Sequence, residues 1–126
     1  MTAAEFEAML DALADAWSRR DYGGAAAWFS PTVRYADPLR YAFADRAALQ
    51  AFFEADGGLP QRTVWHLRLF DERSQRGIAE YTYEGTYRYH GVALIRIAGR
   101  QITHWREYQH VDPRPWDEFS SATTGL

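Results

Sequence analysis

The chain has 126 residues, enough for one domain with a real core and too few for a second. Its net charge of −3 argues against a nucleic-acid partner, and its 14 basic residues are all Arg, which removes lysine Schiff-base chemistry and the P-loop lysine. There is no Cys for disulfides, thiolate nucleophiles or thiolate metal sites, and no apolar run reaches the roughly 18 residues of a membrane span, so a soluble, cytoplasmic protein with no membrane partner is expected.

Thr2 followed by Glu5 has the pattern of a capping box, and Phe6, Met9, Leu10, Leu13, Ala14 and Trp17 share one helical stripe. They predict an amphipathic helix ending near Arg19 and Arg20, where basic side chains complement the helix dipole. Asp21 caps a second, shorter helix through Ala25, Ala26, Ala27, Trp28 and Phe29, which Pro31 stops. Thr32 to Asp37 reads as a short strand with Val33, Tyr35 and Asp37 on one face, ended by Pro38. Asp45 caps a third helix, Arg46 to Asp56, with Leu49, Phe52 and Phe53 on its apolar stripe and Gly57-Gly58 as its stop.

From here the hydrophobic period changes from 3.6 to 2. Strands are predicted at Thr63–Phe70, Ile78–Thr86, Tyr89–Ile97 and Gln101–Val111, with a polar connection from Asp71 to Gly77 and a tight turn at Gly99. Residues 1–111 then form the domain and 112–126 a tail, in which Trp116 and Phe119 are placed to dock and the last six residues are loose. Helices first and antiparallel strands after them give an α+β class, with three N-terminal helices on one face of a strongly curved, mainly antiparallel sheet.

The last strand carries the chemistry. Alternation puts Thr103, Trp105, Glu107 and Gln109 on one face, and Ile102, His104, Arg106, Tyr108 and His110 on the other. An acid beside a Trp must be paired, hydrogen-bonded or functional. Two readings stand for each inward acid. Asp37 is a general acid or base, or it caps the turn at Pro38; Glu107 is a proton-transfer group, or it bonds internally to a Tyr. Tyr81 and Tyr83 read as cavity wall. The four His, at 66, 90, 104 and 110, lack metal-ligand spacing, so no metal is implied. A bulge would turn His66 inward, His90 sits near the rim, and His104 with Arg106 and Tyr108 marks an outer face suited to contact with a second copy.

This layout, with D-P after the first strand and W-R-E-Y in the last, resembles the nuclear transport factor 2-like superfamily, and within it the SnoaL-like polyketide cyclase branch, over about residues 4–111. The resemblance implies a cone-shaped α+β barrel, with Trp17, Tyr35, Asp37, Tyr81, Tyr83, Trp105 and Glu107 facing inward. Asp37 matches the general base of ketosteroid isomerases, but their oxyanion-hole positions fall on Leu13 and Ala93. Glu107 matches a catalytic Asp of limonene-epoxide hydrolases, whose companion Arg and Asp fall on Tyr81 and Tyr83 and whose water-holding Asn has no counterpart. Neither mechanism carries over intact. What the resemblance implies is a cofactor-independent enzyme acting on a small, mostly apolar organic molecule, with Asp37 and Glu107 moving protons. The rival readings are a non-catalytic binder and an interaction module, and a homodimer through the outer sheet face is expected.

Overall fold

The computed structural model describes residues 1–120. α1 (Ala3–Ser18) starts at a reciprocal capping box: Thr2 Oγ1 accepts from the Glu5 N–H, and the Glu5 carboxylate accepts from the Thr2 N–H. α2 (Tyr22–Ala26) and α3 (Arg46–Glu54) begin at Asp21 and Asp45, whose side chains accept from the Gly24 and Ala48 N–H groups. Each cap stands where the sequence places it.

α2 is shorter than the sequence suggests. Phe29 opens β1 (Phe29–Asp37), and Pro31 lies inside that strand. The pairing register of β1 shifts between Phe29 and Arg34, so the missing proline N–H falls where the ladder is already interrupted. A turn at Pro38 leads into β2 (Tyr41–Phe43), an edge strand absent from the sequence reading. Three residues are too few for a period of 2 to register.

β3 (Arg62–Asp71), β4 (Arg76–Glu84), β5 (Arg88–Ala98) and β6 (Gln101–Val111) follow as expected. The sheet order is β2-β1-β6-β5-β4-β3; only β1 and β6 run parallel. Its two edges do not pair, so the sheet is curved and unclosed, a cone with the helices over its inner face. Between β5 and β6, Gly99 and Arg100 have φ of 55° and 63°, the two positive values a type I′ hairpin turn requires.

The core joins Phe6, Leu10 and Leu13 of α1 to Phe29, Val33, Ile95 and Ile102 of the sheet. Phe6 stacks on Phe70 at 4.6 Å and fills the space that a side chain at Gly77 would need. Trp65 Nε1 donates to the Leu10 carbonyl oxygen at 3.0 Å, tying α1 to β3. In β6, Trp105 and Glu107 point inward while His104, Arg106, Tyr108 and His110 are exposed. Ile102 departs from strict alternation. A register shift between Arg96 and Ile97 pairs it with Ile97 and turns it into the core.

A short α4 (Trp116–Phe119) follows the domain, and the Arg62 guanidinium lies 5.0 Å from the Trp116 ring centre. The expected loose end, residues 121–126, lies outside the described residues. Among the described residues no helix is long and apolar enough to cross a membrane.

Candidate functional site

Between the helices and the inner sheet face lies a cavity of about 560 Å³, a size suited to a small organic molecule. Trp17 closes it from the end of α1, and Phe53 from α3. Alternation then brings Tyr35 from β1, Tyr81 and Tyr83 from β4, and Trp105 and Glu107 from β6 to the same wall. These are the wall residues the sequence proposes. Tyr41, Tyr89 and Gln109 join them. Gln109 is legible from the phase of β6, whereas Tyr41 belongs to the edge strand that the sequence conceals. A larger, more open concavity of about 980 Å³ lies on the outer sheet face. The inner cavity is the better candidate because buried polar groups converge on it.

Glu107 is the centre of that convergence. Its side chain is 2% exposed and has no salt bridge among the described residues. Oε1 accepts from the Tyr35 hydroxyl at 2.9 Å and from the Tyr41 hydroxyl. Oε2 accepts from the Tyr81 hydroxyl at 2.5 Å and from Trp105 Nε1 at 2.9 Å. Four donors thus fill the roughly four lone-pair positions of the carboxylate. Burial pushes the Glu107 carboxyl above its ordinary range, and these hydrogen bonds oppose the shift without cancelling it. Burial, reinforced by the charge of Glu107, pushes the Tyr35, Tyr41 and Tyr81 hydroxyls upward as well. The phenols therefore remain donors toward the carboxylate. Gln109 Nε2 donates to the Tyr41 oxygen at 2.9 Å and extends the chain: Gln109, Tyr41, Glu107.

Three residues expected at the cavity lie elsewhere. Asp37 is buried but does not line the cavity. Its Oδ1 accepts from the Leu39 N–H at 2.9 Å and its Oδ2 lies 3.8 Å from Arg40 Nε, so it caps the turn that reverses β1 into β2. His66 and His90 sit on the outer side of the sheet. The register shift between Trp65 and Arg68 exists, yet it leaves Trp65 on the inner face and His66 against Thr82. His90 is the cross-strand partner of Thr82 and shares its face.

Those two histidines belong to a separate polar chain. His90 Nε2 lies 3.1 Å from Asp112 Oδ2; because a carboxylate only accepts, Nε2 carries the proton and Nδ1 is left to accept from the Thr82 hydroxyl at 3.0 Å. The Thr82 oxygen then accepts from His66 Nε2 at 2.7 Å. Asp112 is gripped in turn by Arg114. Asp112, His90 and Thr82 have the connectivity of a hydrolase triad. However, Thr82 is 0% exposed, and no substrate can reach its oxygen. The chain fastens the segment after β6 to the sheet.

Among the described residues no group of three or more His, Asp or Glu converges as a metal site. Two polar atoms in the cavity walls, Trp17 Nε1 and Thr63 Oγ1, are buried without a hydrogen-bond partner. Such groups are costly unless something satisfies them.

The model of the SnoaL-like domain matches residues 10–105. A search of curated proteins finds no match to this sequence. Solved structures similar in fold include an LEH-like epoxide hydrolase from M. tuberculosis (14% identity, TM-score 0.74, covering 85% of this chain and 84% of that one). A second is a candidate polyketide cyclase from Xanthomonas campestris (18%, 0.69, 96% and 98%). A third, from Catenulispora acidiphila, has a ketosteroid isomerase-like fold and was solved in complex with trimethylamine (16%, 0.68, 79% and 83%). At these identities the likeness concerns the fold. With its helices over a curved, unclosed six-stranded sheet and the domain model spanning most of its length, the chain belongs to the SnoaL-like domain family, within the nuclear transport factor 2-like fold.

Proposed function

We propose that the chain is an enzyme that performs acid–base chemistry with its own side chains on a small, mostly apolar organic molecule held in the inner cavity. One observation carries this reading: a buried carboxylate, Glu107, is wired to the cavity through tyrosine hydroxyls. Because those phenols are held protonated, none of them is a resting base. Tyr41 takes a proton from substrate only as it passes its own to Glu107, and returns it by the reverse path. Gln109 holds the Tyr41 oxygen in place during the exchange. The chemistry this supports is proton transfer of the isomerase, cyclase, dehydratase or epoxide-hydrolase kind. Glu107→Gln should lower turnover by about 10² to 10⁴-fold while ligand still binds, and Tyr41→Phe should act in the same direction.

The second reading, a non-catalytic binder, is favoured by one fact: the chain's own donors fill every acceptor position of Glu107. Under that reading Tyr41→Phe alters affinity and there is no turnover to lose. We also propose a homodimer through the outer sheet face, where Ile78 and the cross-strand pair Val92 and Tyr108 expose apolar surface.

A further inference from the structure

The charged groups that line the inner cavity are Arg40, Asp56 and Glu107. Arg40 faces Asp37 at 3.8 Å, and Asp56 faces Arg20 at 3.4 Å. Those two pairs balance, and among the described residues the buried Glu107 carboxyl has no counter-ion. Its four hydrogen-bond donors solvate the charge without neutralising it. The surrounding wall is aromatic. Tyr35 stacks on Trp105 at 5.7 Å, Trp17 meets Trp105 edge-on at 6.4 Å, and Tyr81 meets Trp65 at 5.4 Å. Three of the phenols donate to Glu107, which makes their oxygens and ring faces more electron-rich. A wall of electron-rich rings around an uncompensated anion is the environment in which proteins hold quaternary ammonium groups.

From this geometry we infer that the cavity's ligand is a compact organic cation, a quaternary or protonated tertiary amine with apolar substituents, held by the rings and tyrosyl oxygens and balanced by Glu107. The inference rests on the proposal that the inner cavity is the functional site, and it names the class of molecule the cavity takes. The cation does not need to touch the carboxylate, whose lone pairs are already engaged. It contacts the ring faces, and the charges interact across a wall from which water is excluded. A neutral ligand of the same shape would gain the apolar contacts and leave Glu107 uncompensated.

The test compares choline with 3,3-dimethylbutan-1-ol, which has the same shape with carbon in place of the charged nitrogen, by isothermal titration calorimetry on the full chain. Choline should bind about tenfold more tightly or better. Its advantage should shrink as the pH is lowered and Glu107 takes up a proton, while the neutral alcohol should show no such change. Glu107→Gln should abolish the preference. If that variant does not fold, the pH series on the unaltered protein decides the matter. Equal or tighter binding of the alcohol, a choline advantage that persists in Glu107→Gln or at acid pH, or no binding of choline at millimolar concentration would each overturn the inference. These outcomes are separable from catalysis. A cation-selective cavity with no turnover leaves the inference standing and removes the enzyme, and an alcohol-selective cavity whose turnover depends on Glu107 does the reverse.

Discussion

Tyr81 on β4 pairs directly with Gly91 on β5, and its ring occupies the space that a side chain at position 91 would need. The same ring delivers its hydroxyl to Glu107 at 2.5 Å. The absence of a Cβ at one position on β5 therefore sets the geometry of a carboxylate on β6. Gly91→Ala should push Tyr81 off Glu107 and destabilise the fold by about 1–3 kcal/mol. Urea unfolding measures this, and stability equal to that of the parent protein would show that the ring has room to move.

Glu107→Gln should be destabilising, because a carboxamide offers one acceptor oxygen where the four donors need two. The cost should be about 1–3 kcal/mol for the donors left unpaired. Its pH dependence has a definite sign. The Glu107 carboxyl is raised above its ordinary value of 4.5, so the stability linked to its proton is fully present below that value and is lost as pH rises through the folded value. The gap between parent and variant should therefore narrow as pH rises above 4.5. A gap that widens would mean the carboxyl is depressed instead.

Asp37 acts as a turn cap, which separates two substitutions. Asp37→Asn keeps an oxygen for the Leu39 N–H and should cost less than about 1 kcal/mol, while Asp37→Ala should cost about 1–2 kcal/mol. Turnover, once a substrate is found, should stay within a few-fold in the Asn variant. A hundredfold loss there would return Asp37 to the catalytic role that its D-P motif suggests.

The Thr82 hydroxyl serves two histidines at once, so Thr82→Val should remove one hydrogen bond from each and cost about 1–3 kcal/mol. Burial holds His66 below the ordinary histidine value of 6.5, with His90 adding to the shift and Glu80 opposing it. The stability linked to neutral His66 is present above 6.5 and lost as pH falls through its lower folded value. His66→Gln should flatten this part of the profile. Parallel slopes for parent and variant as pH falls below 6.5 would show that another group titrates there.

On the outer face, Arg34, His104, Arg96 and Arg76 are direct cross-strand neighbours in a row across four strands. Like charges placed opposite one another repel, and salt screens that repulsion. A dimer through this face should therefore tighten several-fold between about 50 and 500 mM salt, as read by sedimentation equilibrium. A monomer at micromolar concentration in both salts would remove the dimer, and a dimer that weakens with salt would show that the arginines meet acids of the partner.

What the amino-acid order determines here is local. The caps at Thr2, Asp21 and Asp45, the positive-φ turn at Gly99 and the phase of β6 each depend on residues a few positions apart. They are legible because side-chain direction follows backbone period, which is why Trp105 and Glu107 fall on the inner face as read. The rest depends on residues far apart in the chain. Asp37 carries the right motif, but whether it meets the cavity is decided by the turn that folds β2 back onto β1. The inward turn expected of His66 fails because the Thr82 hydroxyl offers it a partner on the other face. Glu107 is read as an acid in need of a partner. That it has four of them, drawn from β1, β2, β4 and its own strand, follows only once the strand order β2-β1-β6-β5-β4 brings them together. A hydrogen bond spanning 72 residues leaves no periodic trace in a sequence. Only the folded chain sets such a contact, because closing it depends on every ladder between its two ends.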